Sequence, residues 1–225
     1  MNPETSPYER IRANLDTIHQ RIASAAGRVG RRADAVRMVA ITKSVGLPEI
    51  EVLSRLGVSH IGENRVEQAK QKRAAAPGGL HWHMIGSVQR RKVAAVVENF
   101  DLVDTVDRLE LAEALQRHAA AAGKTVEVLV EVNVSGEQQK HGFTPEGLPA
   151  ALEAILNLDA LHVRGLMTMA PFDAPENMLH SVFGSLRELA RTHGLHDLSM
   201  GMTDDFEIAI EEGATEVRIG RGLFI

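Results

Sequence analysis

The stretch Met38-Val39-Ala40-Ile41-Thr42-Lys43 decides how the rest of the chain is read. Four apolar residues, two of them β-branched and none Gly or Pro, fit a strand buried on both faces, as in a parallel sheet. Lys43 stands where that strand emerges. Ser44-Val45-Gly46-Leu47-Pro48 then breaks the pattern, and Glu49-Ile50-Glu51-Val52-Leu53 resumes it with helical spacing, giving a strand, a loop and a helix. In parallel α/β folds the loops after the strands carry the chemistry. One lysine there reads most simply as a solvated charge, so its weight depends on what else converges on it.

Outward from this unit the alternation repeats. Upstream, residues 4–26 make a helix with Tyr8, Ile11, Leu15, Ile18 and Ile22 along one face, ended by Gly27 and Gly30. Downstream, 57–62 form a second strand that stops at Glu63-Asn64, and 65–76 a charged helix. Strands follow at 81–85, 100–106, 125–134, 161–169, 195–200 and 215–219. Helices are expected at 88–98, 108–122, 145–158 with Pro145 at its start, 175–193 and 204–212. In the helix 175–193 the apolar face is Met178, Val182, Leu186 and Leu189. Eight strands, each but the last followed by a helix, predict an α/β fold: a single (β/α)₈ TIM barrel with an extra N-terminal helix, one domain over 1–225. An open doubly wound sheet is the alternative.

Composition narrows the function classes. The 225 residues are 44% hydrophobic and 24% charged, enough to bury a full core. A net charge of −5 argues against a general nucleic-acid surface. The absence of Cys excludes disulfides, thiolate nucleophiles and thiolate metal sites. No apolar run is long enough to cross a membrane, and the polar N-terminus does not resemble a secretory signal. A cytoplasmic protein is expected.

In a barrel the C-terminal ends of the strands share one mouth. The sequence places Lys43, Asn64, His83 with Gly86, Asp104 with Asp107, Asn133, Thr168, Ser199 with Thr203, and Arg218 with Gly220 at or near those ends. The loop Ser199-Met200-Gly201-Met202-Thr203-Asp204-Asp205 offers hydroxyls, a permissive glycine and N–H groups at a helix start, an arrangement suited to phosphate. Asp204 and Glu207 look like a capping pair, and the two acids Asp204 and Asp205 would repel an anion unless they point away. An N-cap followed by a tight turn explains the same residues without a ligand.

These residues resemble the pyridoxal phosphate homeostasis proteins, relatives of the N-terminal barrel of alanine racemase. The resemblance runs through Val39–Lys43, Ile61-Gly62-Glu63-Asn64-Arg65-Val66-Glu67, Trp82–Gln89, Glu131–Glu137, Lys140, Arg164-Gly165-Leu166-Met167-Thr168, Ser199–Phe206 and Val217-Arg218-Ile219-Gly220. It implies that Lys43 forms a Schiff base with pyridoxal 5'-phosphate and that Asn64 lies beside the ring. It also implies that Ser199, Thr203 and the backbone at Gly201 and Gly220 hold the phosphate, and that Arg218 faces the pyridine nitrogen. A guanidinium stays protonated and hands the ring no proton, which leaves the ring a poor electron sink. Three departures stand out: Arg91 where the family has Asn, Arg221 where it has Ser or Thr, and an end at Leu223-Phe224-Ile225 that is expected to loosen the last strand.

The resemblance implies a binding protein for intracellular pyridoxal phosphate homeostasis, storing, buffering or delivering the cofactor, with PLP-dependent apo-enzymes as partners. Two-base racemisation needs a second acid, which in the racemases is a Tyr from a second domain. The only Tyr here is Tyr8, and no second domain is read from the sequence, so no catalytic residue is assigned and a monomer is expected. His83, Asp104 or a water leaves room for weak racemase activity. The remaining alternative is a barrel enzyme acting on a phosphorylated metabolite through Lys43. His81 and His83 point the same way along a strand, yet no carboxylate pattern completes a zinc set, so no metal is expected.

Overall fold

The computed structural model describes residues 6–225. In chain order it contains α1 (Pro7–Arg28), β1 (Arg37–Ile41), α2 (Leu47–Arg55), β2 (His60–Glu63), α3 (Val66–Ala75), β3 (His81–Met84) and α4 (Val93–Asn99). Then come β4 (Leu102–Val106), α5 (Leu109–Ala121), β5 (Val126–Glu131), α6 (Leu148–Leu156), β6 (Leu161–Met167) and α7 (Glu176–Thr192). The chain closes with β7 (Asp197–Met202), α8 (Phe206–Glu211), β8 (Glu216–Ile219) and α9 (Arg221–Phe224). Each strand pairs in parallel with the next and β8 pairs with β1, so the sheet is a closed barrel rather than an open one.

Residues 4 and 5 of the expected first helix lie outside the described residues. From Ser6 on, a capping box starts α1: Glu9 N–H donates to Ser6 Oγ and Ser6 N–H to the Glu9 carboxylate. Ile11, Leu15, Ile18 and Ile22 are buried on the expected face, while Tyr8 is 39% exposed. Each buried aliphatic side chain contributes roughly 1.5–3 kcal/mol. That stripe packs α1 against α2, α8 and α9. Because α9 is a single turn, α1 supplies the outer cover that a full helix after β8 would have given. Asn14 of α1 donates to the carbonyls of Leu223 (3.1 Å) and Ile225 (3.0 Å). The last strand is therefore not loosened: all four of its residues are buried, and it is paired on both sides.

Three other expectations are corrected. The buried face of α7 is Leu179, Val182, Phe183, Leu186 and Ala190, with Met178 44% exposed, because the stripe is centred one residue further on. Pro145 lies in a turn, and α6 begins at Leu148 with Pro149 in its first turn. β7 runs on through Gly201 to Met202. Between the pairs Ser199↔Glu216 and Met202↔Arg218 it fits three steps against two, a bulge. Gly201 sits there at φ +90°, and a Cβ would stand 2.6 Å from Ala209 Cβ and 2.9 Å from Phe206 Cα. Only glycine combines that backbone with such close packing of α8.

The barrel lumen differs from the outer layer between sheet and helices. Its apolar part is a small cluster of Leu102, Leu129 and Met167, separate from the main core. Much of the rest is charged: Arg164 pairs with Glu127 and Asp197 at 2.8 Å each, and Arg37 with Glu216 at 3.3 Å.

Candidate functional site

At the rim, Thr42 is fixed by three groups before the chain reaches Lys43. Its N–H donates to the Gly62 carbonyl at 3.0 Å, extending the β1–β2 ladder by one bond. Its hydroxyl donates to Glu63 Oε1 at 2.6 Å, and its carbonyl accepts from Lys72 Nζ at 2.8 Å. Lys72 also meets Glu63 Oε1 at 2.6 Å. Lys43 follows on an exposed turn and has no ion-pair partner among the described residues. A rigid base thus carries a free amine.

The strand register sets the neighbours of that amine. Ile41 pairs with Gly62, so Lys43 and Asn64 each stand two residues past a paired position. Gly86 allows the two loops to touch: a Cβ there would lie 2.7 Å from the Asn64 carbonyl oxygen. Asn64 is half-buried and lines a cleft of about 390 Å³ with Met84, Ser87, Gln89 and Lys92. This cleft lies beside the rim between the loops after β2 and β3, and Lys43 is not part of its lining.

On the other flank, Ala40 pairs with Ile219, which brings Gly220 against Ile41. Thr203 packs on Gly222, where a Cβ would meet its Cγ2 at 3.0 Å. Gly201, Thr203 and Gly220 therefore gather at the ends of β7 and β8. The expected capping pair is replaced: Asp205 is the N-cap of α8 and accepts from the Met202 N–H, while Asp204 pairs with Arg221 and Glu207 with Arg21. Both acids of the loop are engaged internally, and Arg221 neutralises one of them. Arg91 is exposed and donates to Gln89 at 3.1 Å.

Arg218 lies beneath this rim, 5% exposed. It donates to Ser199 Oγ at 2.6 Å and to the Thr168 carbonyl at 2.9 Å, and no carboxylate lies within ion-pair distance among the described residues. A buried guanidinium without a counter-ion is costly unless something polar meets it. Ser199 is fully buried and engaged by Arg218. Ser199 thus holds the arginine in place.

Two of the residues expected at the mouth lie lower, and three others at the strand ends are engaged by their own loops or neighbours. His83 and Asp104 are buried in the lumen with Glu216, on the side of His60 and Arg37. Asn133 caps its own loop, accepting from Ser135 and the Gly136 N–H. The Thr168 hydroxyl donates to the Val132 carbonyl at 2.7 Å. Asp107 pairs with Arg108 and stands 3.6 Å from His141. The sequence reading missed Glu131, the last residue of β5 and 4% exposed. Burial, then the Asp107 charge, pushes its carboxyl up to about 7 against the opposing pull of Arg218. The alternation Glu127, Leu129, Glu131 was the available signal, since it puts all three on the lumen face.

A closed parallel barrel with a free lysine after its first strand and a buried arginine in its last defines a class, the lysine-bearing (β/α)₈ barrels. The family model described as alanine racemase, N-terminal domain, matches residues 10–225. The pyridoxal phosphate homeostasis protein of Pseudomonas aeruginosa is 40% identical over 217 residues, covering 95% of this chain and 94% of that protein. PipY of Synechococcus elongatus, solved with PLP bound, superposes with a TM-score of 0.81 at 32% identity, covering 92% of this chain and 100% of that one. This chain belongs to the pyridoxal phosphate homeostasis protein family, within the alanine racemase N-terminal barrels. Alanine racemase of Clostridium difficile shares the fold at 15% identity and a TM-score of 0.73, with 56% of its chain covered.

Proposed function

We propose that this protein binds pyridoxal 5'-phosphate and serves intracellular homeostasis of that cofactor by storing, buffering or delivering it. The observation that carries the reading is the pairing of a free Lys43 amine on a fixed base with a buried Arg218 that lacks a carboxylate partner. Bound PLP supplies an aldehyde that condenses with an amine, beside a phosphate dianion. Lys43 offers the amine, and the bonds to Thr42 hold its backbone in place. Asn64 stands on the neighbouring strand end to flank the ring. Thr203 and the backbone at Gly201 and Gly220 receive the phosphate, joined by the N–H groups that open α9, which lack intrahelical acceptors. Arg221 offsets the charge of Asp204, and Asp205 is turned onto the Met202 N–H, which lowers the repulsion of an anion at that corner. Arg218, held by Ser199 and Thr168, would meet the ring nitrogen as a donor that does not surrender its proton, which would disfavour carbanion chemistry.

The same geometry favours a carrier over a dedicated enzyme. His83 and Asp104 are walled off in the lumen, and Tyr8 lies on α1. Glu131, at the end of β5, is an acid pushed up to about 7 by burial, and it favours a weak side activity as a second reading. The reading takes the chain as one barrel unit, monomeric and cytoplasmic; among the described residues no helix is long and apolar enough to cross a membrane.

Incubating PLP-loaded protein with an apo-enzyme, and in parallel with L- and D-alanine, separates the two. A carrier restores the apo-enzyme and racemises alanine far below ordinary turnover of about 10 s⁻¹. Racemisation at that rate, abolished by Lys43→Ala, contradicts the carrier reading.

A further inference from the structure

In the lumen below the mouth, His83 of β3, Asp104 of β4 and Glu216 of β8 meet across the barrel, with one ligand atom of each within 4.8 Å of the others. His83 Nδ1 lies 3.2 Å from Asp104 Oδ1 and 4.0 Å from Glu216 Oε1. All three side chains are buried, yet Asp104 Oδ2 and Glu216 Oε1 accept no hydrogen bond. A buried carboxylate oxygen left without a donor is destabilising. Arg37 reaches only the other oxygen of Glu216, at 3.3 Å.

The other ring nitrogen of His83 has a fixed neighbour. His83 Nε2 lies 2.9 Å from His60 Nδ1. In the metal-free chain Nδ1 is hydrogen-bonded to Asp104 Oδ1 at 3.2 Å, the contact a metal ion would take over, and the other ring nitrogen is held by a fixed partner as in metal-binding histidines. A route exists too. A cavity of about 290 Å³ at the N-terminal end of the barrel is lined by His81, His60, His83 and Arg37. The His81 ring is exposed and stacks on His60 at 4.8 Å, so imidazoles lead from solvent to the cluster.

We propose that His83, Asp104 and Glu216 bind one divalent transition-metal ion of the zinc class, admitted past His81 and His60. One imidazole with two carboxylates suits zinc better than magnesium or calcium, which take oxygen ligands alone. The site lies in the lumen, below the rim.

The test uses the tag-free full chain, stripped with a chelator and titrated with zinc chloride at pH 8 by calorimetry, with metal analysis after dialysis. One zinc per chain is expected, with a rise in melting temperature. Asp104→Asn and Glu216→Gln should each weaken binding at least tenfold and abolish that rise, while His196→Ala leaves both unchanged. Zinc binding that both lumen variants leave intact would overturn the proposal, as would no retained zinc. Cobalt(II) on the unaltered chain gives a reading that needs no variant. Visible bands of a bound nitrogen- and oxygen-ligated ion support the site, and their absence at saturating cobalt overturns it.

Discussion

Lys72 of α3 donates to the carbonyl of Thr42 at 2.8 Å and to Glu63 Oε1 at 2.6 Å, tying a helix thirty residues on to the position just before Lys43. Glu63 is fully buried, and its Oε2 already lacks a donor. Lys72→Met leaves that carboxylate without its cation. The expected loss is about 3 kcal/mol of unfolding free energy, by analogy with broken buried pairs. Urea denaturation measures it, and an unchanged midpoint would show that the Lys72–Glu63 pair adds no net stability.

Arg218→Gln keeps a donor near Ser199 and Thr168 but removes the buried charge. Charge-assisted hydrogen bonds contribute roughly 1.5–3 kcal/mol, so PLP affinity should fall about tenfold or more while Lys43 remains reactive. Fluorescence titration with PLP tests this. Equal affinity would remove Arg218 from the site.

Gly201→Ala puts a Cβ 2.6 Å from Ala209 Cβ on a backbone at φ +90°. Roughly 1–3 kcal/mol of destabilisation is expected from overpacking and strain. The rim at Thr203 should shift with α8, so PLP binding weakens as well. Gly136→Ala also places a side chain at positive φ, 72°, but in open space. It should cost less stability and leave binding intact.

Glu131 releases its proton near 4.5 in the unfolded chain and near 7 in the folded one. Between those values the folded state binds more protons, so this group's contribution to stability is full below about pH 4.5 and is lost as pH rises through 7. Glu131→Gln removes the titration. The variant should gain on the parent between pH 4 and pH 8, by on the order of 3 kcal/mol for a shift of this size. Parallel denaturation curves at the two pH values measure the gap, and a constant gap contradicts the raised carboxyl.

The barrel was legible because strand and helix periods alternate along the chain with glycines and prolines between them. The rim was legible where a residue sits at a strand end, as Lys43, Asn64 and Gly220 do. What local reading could not supply is which residues meet across the lumen. Glu216 and His83 come together only when β8 and β3 face each other in a closed barrel. The bulge at Gly201 likewise depends on packing against Ala209 and Phe206, and it changes what Ser199 touches. The helical face of α7 was displaced by one residue because an exposed methionine satisfies the spacing as well as a buried leucine does.

The most direct test of the account is where PLP attaches. The purified protein is saturated with PLP, its visible absorbance recorded, the adduct reduced with borohydride and the labelled peptide mapped by mass spectrometry. The account predicts a single phosphopyridoxyl group on Lys43, absent from Lys43→Ala. A label on another lysine, or no stable label at all, contradicts it.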